Sequence, residues 1–260
     1  MTRNSMARTS VFVALIAGPL LSGCAITLNL PANRFESPET QGSQGLYLEA
    51  GVSGANKVVL VPSISASPPD VNSPAIVHEN SGAAFGGGVG IVPRLDLGVH
   101  FNGNAPTVFR AKYQFIGSGR STTHAGIFSL AVSAGIGASK RDDSYRDTFS
   151  STQGASTTKF ITYDGSIIAG YRFSSSMLLY GSVFYTTTDV DGTITQTPTN
   201  NVAQFRGDAR QKGANLGIEL NTGHLGLIVE GGYGNATYKV EREDGAFLGA
   251  LFRIYSGRIH

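Results

Sequence analysis

Ten ionisable side chains stand on the polar side of alternating segments: Glu49, Asp96, His100, Arg110, Lys112, Asp164, Arg172, Glu219, Glu230 and Arg253. In a strand, positions i and i+2 share a face. Asp96 and His100 therefore lie together, opposite Leu95, Leu97, Val99 and Phe101. Arg110, Lys112 and Gln114 likewise oppose Phe109, Ala111, Tyr113 and Phe115. Five acids, four bases and one histidine gathered on an inner face have two uses. Paired across neighbouring strands, as Asp96 with Arg110 or Lys112, they form an ion-pair network that seals an interior. Left wet, they line a narrow polar pore. The signs permit pairing, and a sealed network is expected.

Other chemistry finds little support. The five histidines and single cysteine have no metal-ligand spacing. Gly86-Gly87-Gly88-Val89-Gly90 has neither a dinucleotide-loop spacing nor a Gly-Lys-Ser/Thr ending. On a strand, such small residues make room for larger neighbours. Asp189-Val190-Asp191 is an acid pair beside Gly192, the composition of a turn. The expectation is a non-enzymatic protein without metal or cofactor.

The amino-terminal stretch decides the compartment. Arg3 and Arg8 precede an apolar run from Val11 to Leu21, broken by Gly18-Pro19. That is a secretory signal, too short to span a membrane as a helix. Leu21-Ser22-Gly23-Cys24 resembles the lipobox of bacterial lipoproteins. The resemblance implies cleavage of residues 1–23, a diacylglycerol on the Cys24 sulfur and an acyl group such as palmitate on the new amino terminus. Losing Arg3 and Arg8 from 20 bases leaves 18 against 18 acids, so no charge draws this chain to nucleic acid. With one cysteine there is no internal disulfide. Residues 25–44 lack any period, carry Pro31 and Pro38, and read as an extended periplasmic tether. A docked Phe35 plugging the base of the domain is the less favoured alternative.

From residue 45 onward, period-two alternation recurs. Ile161, Tyr163, Gly165, Ile167, Ala169, Tyr171 and Phe173 make one face, aromatic toward both ends and small or aliphatic between. The opposite face is polar apart from Ile168. That is the layout of a lipid-facing strand with two interfacial girdles. Ten strands are expected, at about 45–61, 81–91, 95–103, 107–116, 124–139, 159–173, 177–190, 209–221, 224–239 and 244–255. Strand 177–190 is ambiguous, because Leu178, Tyr180 and Phe184 compete with Leu179, Val183 and Tyr185 for the outer face. Eight strands is the alternative count. Short turns at 92–94, 173–176 and 221–224 alternate with long polar loops at 62–80, 140–157 and 190–208.

The chain thus resembles the small OmpA-like and OmpW-like outer-membrane β-barrels of Gram-negative bacteria, in a lipoprotein form, over residues 45–255. The resemblance implies an all-β, closed, antiparallel up-and-down transmembrane barrel. It also implies a porin-like or structural role, with outer-membrane lipids and the lipoprotein-sorting and barrel-assembly machinery as partners. An even strand count puts both termini on the periplasmic side. Gly249, Phe252 and Ile254 are similar to the last-strand signal that assembly machinery reads, although Ser256 to His260 follow it. The mixed-charge loop 140–157 is where an extracellular partner would be met. Barrel deacylases resemble a His-x-Ser pair, which His100, His124 and His224 lack, and the Asp-x-His of barrel proteases is also missing. The alternative function is a lipid-anchored soluble periplasmic barrel binding an apolar ligand. It needs an apolar lumen, and the lipocalin Gly-x-Trp is absent with tryptophan itself.

Overall fold

A computed structural model describes residues 25–60, 75–146, 153–197 and 199–256. The signal segment 1–23 and Cys24, and most of the loop at 62–80, lie outside these residues. Eleven antiparallel strands make up the fold: β1 (Ile26–Pro31), β2 (Leu46–Leu60), β3 (Ile76–Val92), β4 (Leu95–Asn102), β5 (Thr107–Ile116), β6 (Phe128–Arg146), β7 (Gln153–Ser174), β8 (Met177–Thr197), β9 (Val202–Thr222), β10 (Leu225–Tyr238) and β11 (Glu241–Tyr255). Each of β2 to β11 pairs with its neighbours in chain order, and β11 pairs back onto β2, so ten strands close a ring. The closing pair runs from Ala250 opposite Val52 to Tyr255 opposite Tyr47, so the ring has no free edge at that level.

The ten expected strands are all present, and several run further than expected. β6, β7, β8 and β9 continue through much of what the sequence suggested were loops 140–157 and 190–208. The correction has a simple cause. These segments are polar on their outer face, so they lose the apolar signature, yet runs such as Thr193-Ile194-Thr195 are good strand formers. Cross-strand pairing continues without a break from Thr186 opposite Asp164 up to Thr197 opposite Gln153.

The outward face carries a belt of exposed apolar residues. On β7 it runs from Phe173 to Ile161 through Tyr171, Ile167 and Tyr163. Twelve residues at about 3.3 Å each, tilted by roughly 40°, give a belt about 30 Å tall. The remaining strands add Leu48, Phe85, Phe101, Phe109, Ile136, Val183, Leu216 and Phe252, the last 70% exposed. Above the belt the outward positions become Lys140, Lys159, Asp191 and Arg206, which stand in solvent. In β8 the outward face is Leu179, Val183 and Tyr185, and Leu178, Tyr180 and Phe184 point inward.

The largest departure from expectation is at residues 25–44. They form no tether. β1 pairs with the distal half of β2, Ile26 opposite Leu60 through Pro31 opposite Ala55, on the edge of β2 that β11 occupies lower down. Residues 32–41 then run through the lumen, every one of them buried. The chain turns at Gly42 and Gln44, both at positive φ, and enters β2 at the opposite rim. There the Gln44 N–H donates to the Gly90 carbonyl and Gly90 N–H to the Gly45 carbonyl. A Cβ on Gly90 would collide with the Gly42 carbonyl, so this member of the glycine run admits no side chain.

β2 and β3 also exchange faces along their length. Near the base Leu48 and Val52 point outward, whereas Val58 and Leu60, of the same parity, are buried. In β3, Phe85 is outward but Val77 is buried, as is Ala75 just before the strand, and Ile76 is exposed. No register shift interrupts their pairing from Leu46 to Val59, so the exchange is a twist of the ribbon. Narrow ribbons twist more than wide sheets, and beyond Val52 β2 has parted from β11 and stands in a ribbon of β1, β2 and β3. At the top, β3 lies by β11, where Glu79 abuts Gly245. β1 lies by the opposite wall, where Arg141 donates to the Thr27 carbonyl at 2.7 Å and Asn104 reaches the Thr27 hydroxyl.

Candidate functional site

The lumen is filled in three layers. The upper layer is apolar: Ile26, Leu28 and Leu30 of β1 with Val58, Leu60 and Val77 meet Phe160, Val190, Ile194, Phe205 and Tyr238 from the inner walls. The middle layer centres on Phe35, packed with Ala84, Ile168, Tyr180, Ile228 and Leu251. This cluster explains why β8 is apolar on both faces and why Ile168 interrupts a polar one. An interior occupied by an apolar plug residue requires apolar lining. The lower layer is ionic.

All ten sequence-derived lumen residues point inward. Asp96, Arg110, Arg172, Glu219, Glu230, Arg253, Glu49, His100 and Asp164 are buried, and the Lys112 side chain is nearly so. One expected wall pair forms, Lys112 with Asp96 at 3.3 Å. Arg110 instead takes Asp164, at 2.9 and 3.0 Å. Arg253 holds Glu49 at 2.5 Å, and His100 Nδ1 lies 3.0 Å from the same carboxylate.

The network has a second half that the sequence reading missed, most of it in the segment taken for a tether. Arg34 meets Asp164 at 2.8 Å. Glu36 accepts from Ser133 and Ser166 and faces Arg110 at 3.7 Å. Glu39 takes a two-pronged bond from Arg172, at 2.8 and 2.5 Å. Arg120, from the short 3-10 turn Arg120–Thr122, reaches up to Glu219 and Asn221 at 2.5 Å each and stacks 3.3 Å over the Tyr255 ring. The one legible signal in 25–44 was its content of Arg34, Glu36 and Glu39, charges that complement a mixed-sign lumen.

The wall also satisfies the plug's backbone. An irregular segment buried in a barrel has no ladder to join, so its N–H and C=O groups need other partners. Glu230 accepts the N–H groups of Arg34 and Phe35 at 2.6 and 2.9 Å, together with the Tyr180 hydroxyl and the Asn215 amide. Two successive N–H groups on one carboxylate form a backbone anion nest. Phe35 sits at φ 51°, a conformation a bulky side chain adopts rarely. Arg253 donates to the Phe35 carbonyl at 2.6 Å. Lys112 donates to the carbonyls of Ser37 and Glu39, Gln114 accepts from Thr40, and Asp96 accepts the Gln41 N–H. Seven of the ten lumen residues thus contact the plug directly: Glu230, Arg253, Lys112, Asp96, Arg110, Asp164 and Arg172.

Inside the barrel two small cavities of about 20 and 10 Å³ are found among the described residues. One is bounded by Glu36, Asp96, His100 and Arg110, the other by Leu30, Arg34, Asp164 and Thr186. The larger has room for a water molecule, and the smaller is at the limit for one. Gly249 faces the plug, and a Cβ there would lie 2.5 Å from Asn33 Oδ1 and 2.6 Å from Phe35 Cζ. Phe252 and Ile254 point outward into the apolar belt. Among the described residues, no three His, Cys, Asp or Glu side chains gather as a metal site would require. Asp189 and Asp191 lie on the outer face of an extended strand, so the expected turn at that acid pair is corrected to strand. No family model and no curated protein matches this chain.

Proposed function

We propose that this chain is a non-enzymatic outer-membrane β-barrel lipoprotein with a structural role, its lumen occupied by its own amino-terminal segment. The observation that carries the reading is the division of surfaces: an outward belt of Leu, Ile, Val, Phe and Tyr about 30 Å tall around a charged interior. A soluble barrel for an apolar ligand needs the opposite arrangement. Around the belt the ring is closed, with β11 paired to β2 from Ala250 to Tyr255, which is what spanning lipid requires. Of the two roles the sequence left open, structural and narrow pore, the filled lumen supports the first. Outer-membrane lipids, lipoprotein-sorting and barrel-assembly machinery are the partners this reading requires, with acyl chains on Cys24. Loop 140–157 is reduced, as a partner surface, to the ends of β6 and β7 and the segment between them.

Planar-bilayer recording tests the choice. The purified full chain is expected to insert without a steady conductance. A stable, voltage-independent open channel in every insertion event would overturn the structural reading in favour of the pore.

A further inference from the structure

The direction of the plug has a consequence for the lipid. β1 begins at Ile26 opposite Leu60, at the rim where β6 through β9 are prolonged, and the chain leaves the lumen at Gln44, beside Gly90. That second rim is also where β11 ends, with Tyr255 opposite Tyr47. The described chain therefore starts at one mouth of the barrel and finishes at the other. We infer that the amino terminus of the mature protein reaches the outer rim through the protein's own lumen, so that acyl chains on Cys24 enter the surface leaflet and not the periplasmic one.

The inference rests on the proposed outer-membrane reading and on acylation of Cys24, and it revises the expectation that both termini are periplasmic. Four observations support it. The upper end of β1 is tied to the prolonged rim by Arg141 and Asn104. Its apolar face is buried against β7 to β10. The middle of the plug is held by Glu230 and Arg253. Its lower end is fixed by Asp96, Gln114 and the Arg120 N–H, which donates to the Thr40 carbonyl. Cys24 is joined by a single peptide bond to Ala25, which stands at this rim next to Ile26. A diacylglycerol is far wider than cavities of 20 and 10 Å³. The ring must therefore close around an already threaded segment, because the lipid cannot pass afterwards.

The test uses intact cells carrying the full chain. An epitope is inserted between Cys24 and Ala25. Separate variants place a cysteine in the turn of the prolonged rim, Val240→Cys, or in the opposite turn, Ser175→Cys. A membrane-impermeant maleimide and an antibody serve as probes. Epitope and Val240→Cys are expected to react on intact cells, and Ser175→Cys only after permeabilisation. An epitope reached only after permeabilisation, with Val240→Cys still reactive outside, overturns the inference and leaves the barrel reading intact. Reaction of Ser175→Cys but not Val240→Cys outside overturns surface placement by inverting the barrel. A heat-insensitive, fully digestible protein overturns the barrel reading itself, and the inference with it. Should the insertion abolish folding, the pair Leu28→Cys with Val58→Cys, directly opposed in the β1–β2 register, decides. Most of the folded protein is expected to carry that disulfide, and its absence in a folded barrel would overturn threading.

Discussion

Glu230 shows how the interior works at the scale of single groups. A carboxylate without solvent exposure accepts two backbone N–H groups, a phenol and an amide. Replacing it by alanine strands two buried N–H groups, each costing about 1–3 kcal/mol. Glu230→Ala is expected to lower the guanidinium midpoint of the purified barrel and expose residues 32–41 to protease, whereas Glu230→Gln, which keeps an acceptor oxygen, is expected to do so less. Equal midpoints for wild type and Glu230→Ala would refute the grip assigned to this residue. Gly249 makes a complementary case. Gly249→Val drives a side chain into Asn33 and Phe35 and is expected to dislodge the plug while the outward Phe252 and Ile254 remain in the belt. Unchanged protease resistance at 32–41 would contradict that. The ten inward residues were legible because alternation assigns a face without needing a partner. Their partners Arg34, Glu36 and Glu39 were not, because an irregular segment has no period from which a face can be read.

At the scale of elements, β1 is a six-residue strand whose Ile26, Leu28 and Leu30 supply the upper core from within. Its alternation over Ile26 to Leu30 is too brief to stand out, and Pro31 ends it. Burial decided what pattern alone could not. Removing one of its side chains, as in Leu28→Ala, is expected to cost about 2–5 kcal/mol. It should also speed amide exchange at residues 55–60, the partners of β1 on β2. Exchange unaltered there would show that β1 contributes nothing to the wall. The extended halves of β6 to β9 escaped the sequence reading for the reverse reason. Apolar alternation reports lipid or core contact, and these strands continue where the outer face meets water. Alternation also misassigned nothing in β2, but it gave no sign that the ribbon twists and exchanges faces beyond Gly54.

For the whole molecule, the closed ten-strand ring follows from features spread over the entire chain, which is why it was visible without any relative for comparison. The ring fixes where a charge can go, inside or above the belt, and so turns a list of polar residues into a lumen. What the ring encloses is a matter of long-range chemistry: Glu230 grips Arg34 and Phe35 across a separation of 196 and 195 residues. A plugged barrel of this kind has a definite behaviour in detergent. The protein is taken from the cell's membrane fraction, treated with protease, and run on a detergent gel unboiled and boiled. A faster-migrating unboiled band, with residues 25–41 and the apolar belt protected and cleavage confined to the prolonged rim, is the result expected of a closed barrel holding its own amino-terminal segment. Identical mobility with and without boiling, together with complete digestion, would contradict it.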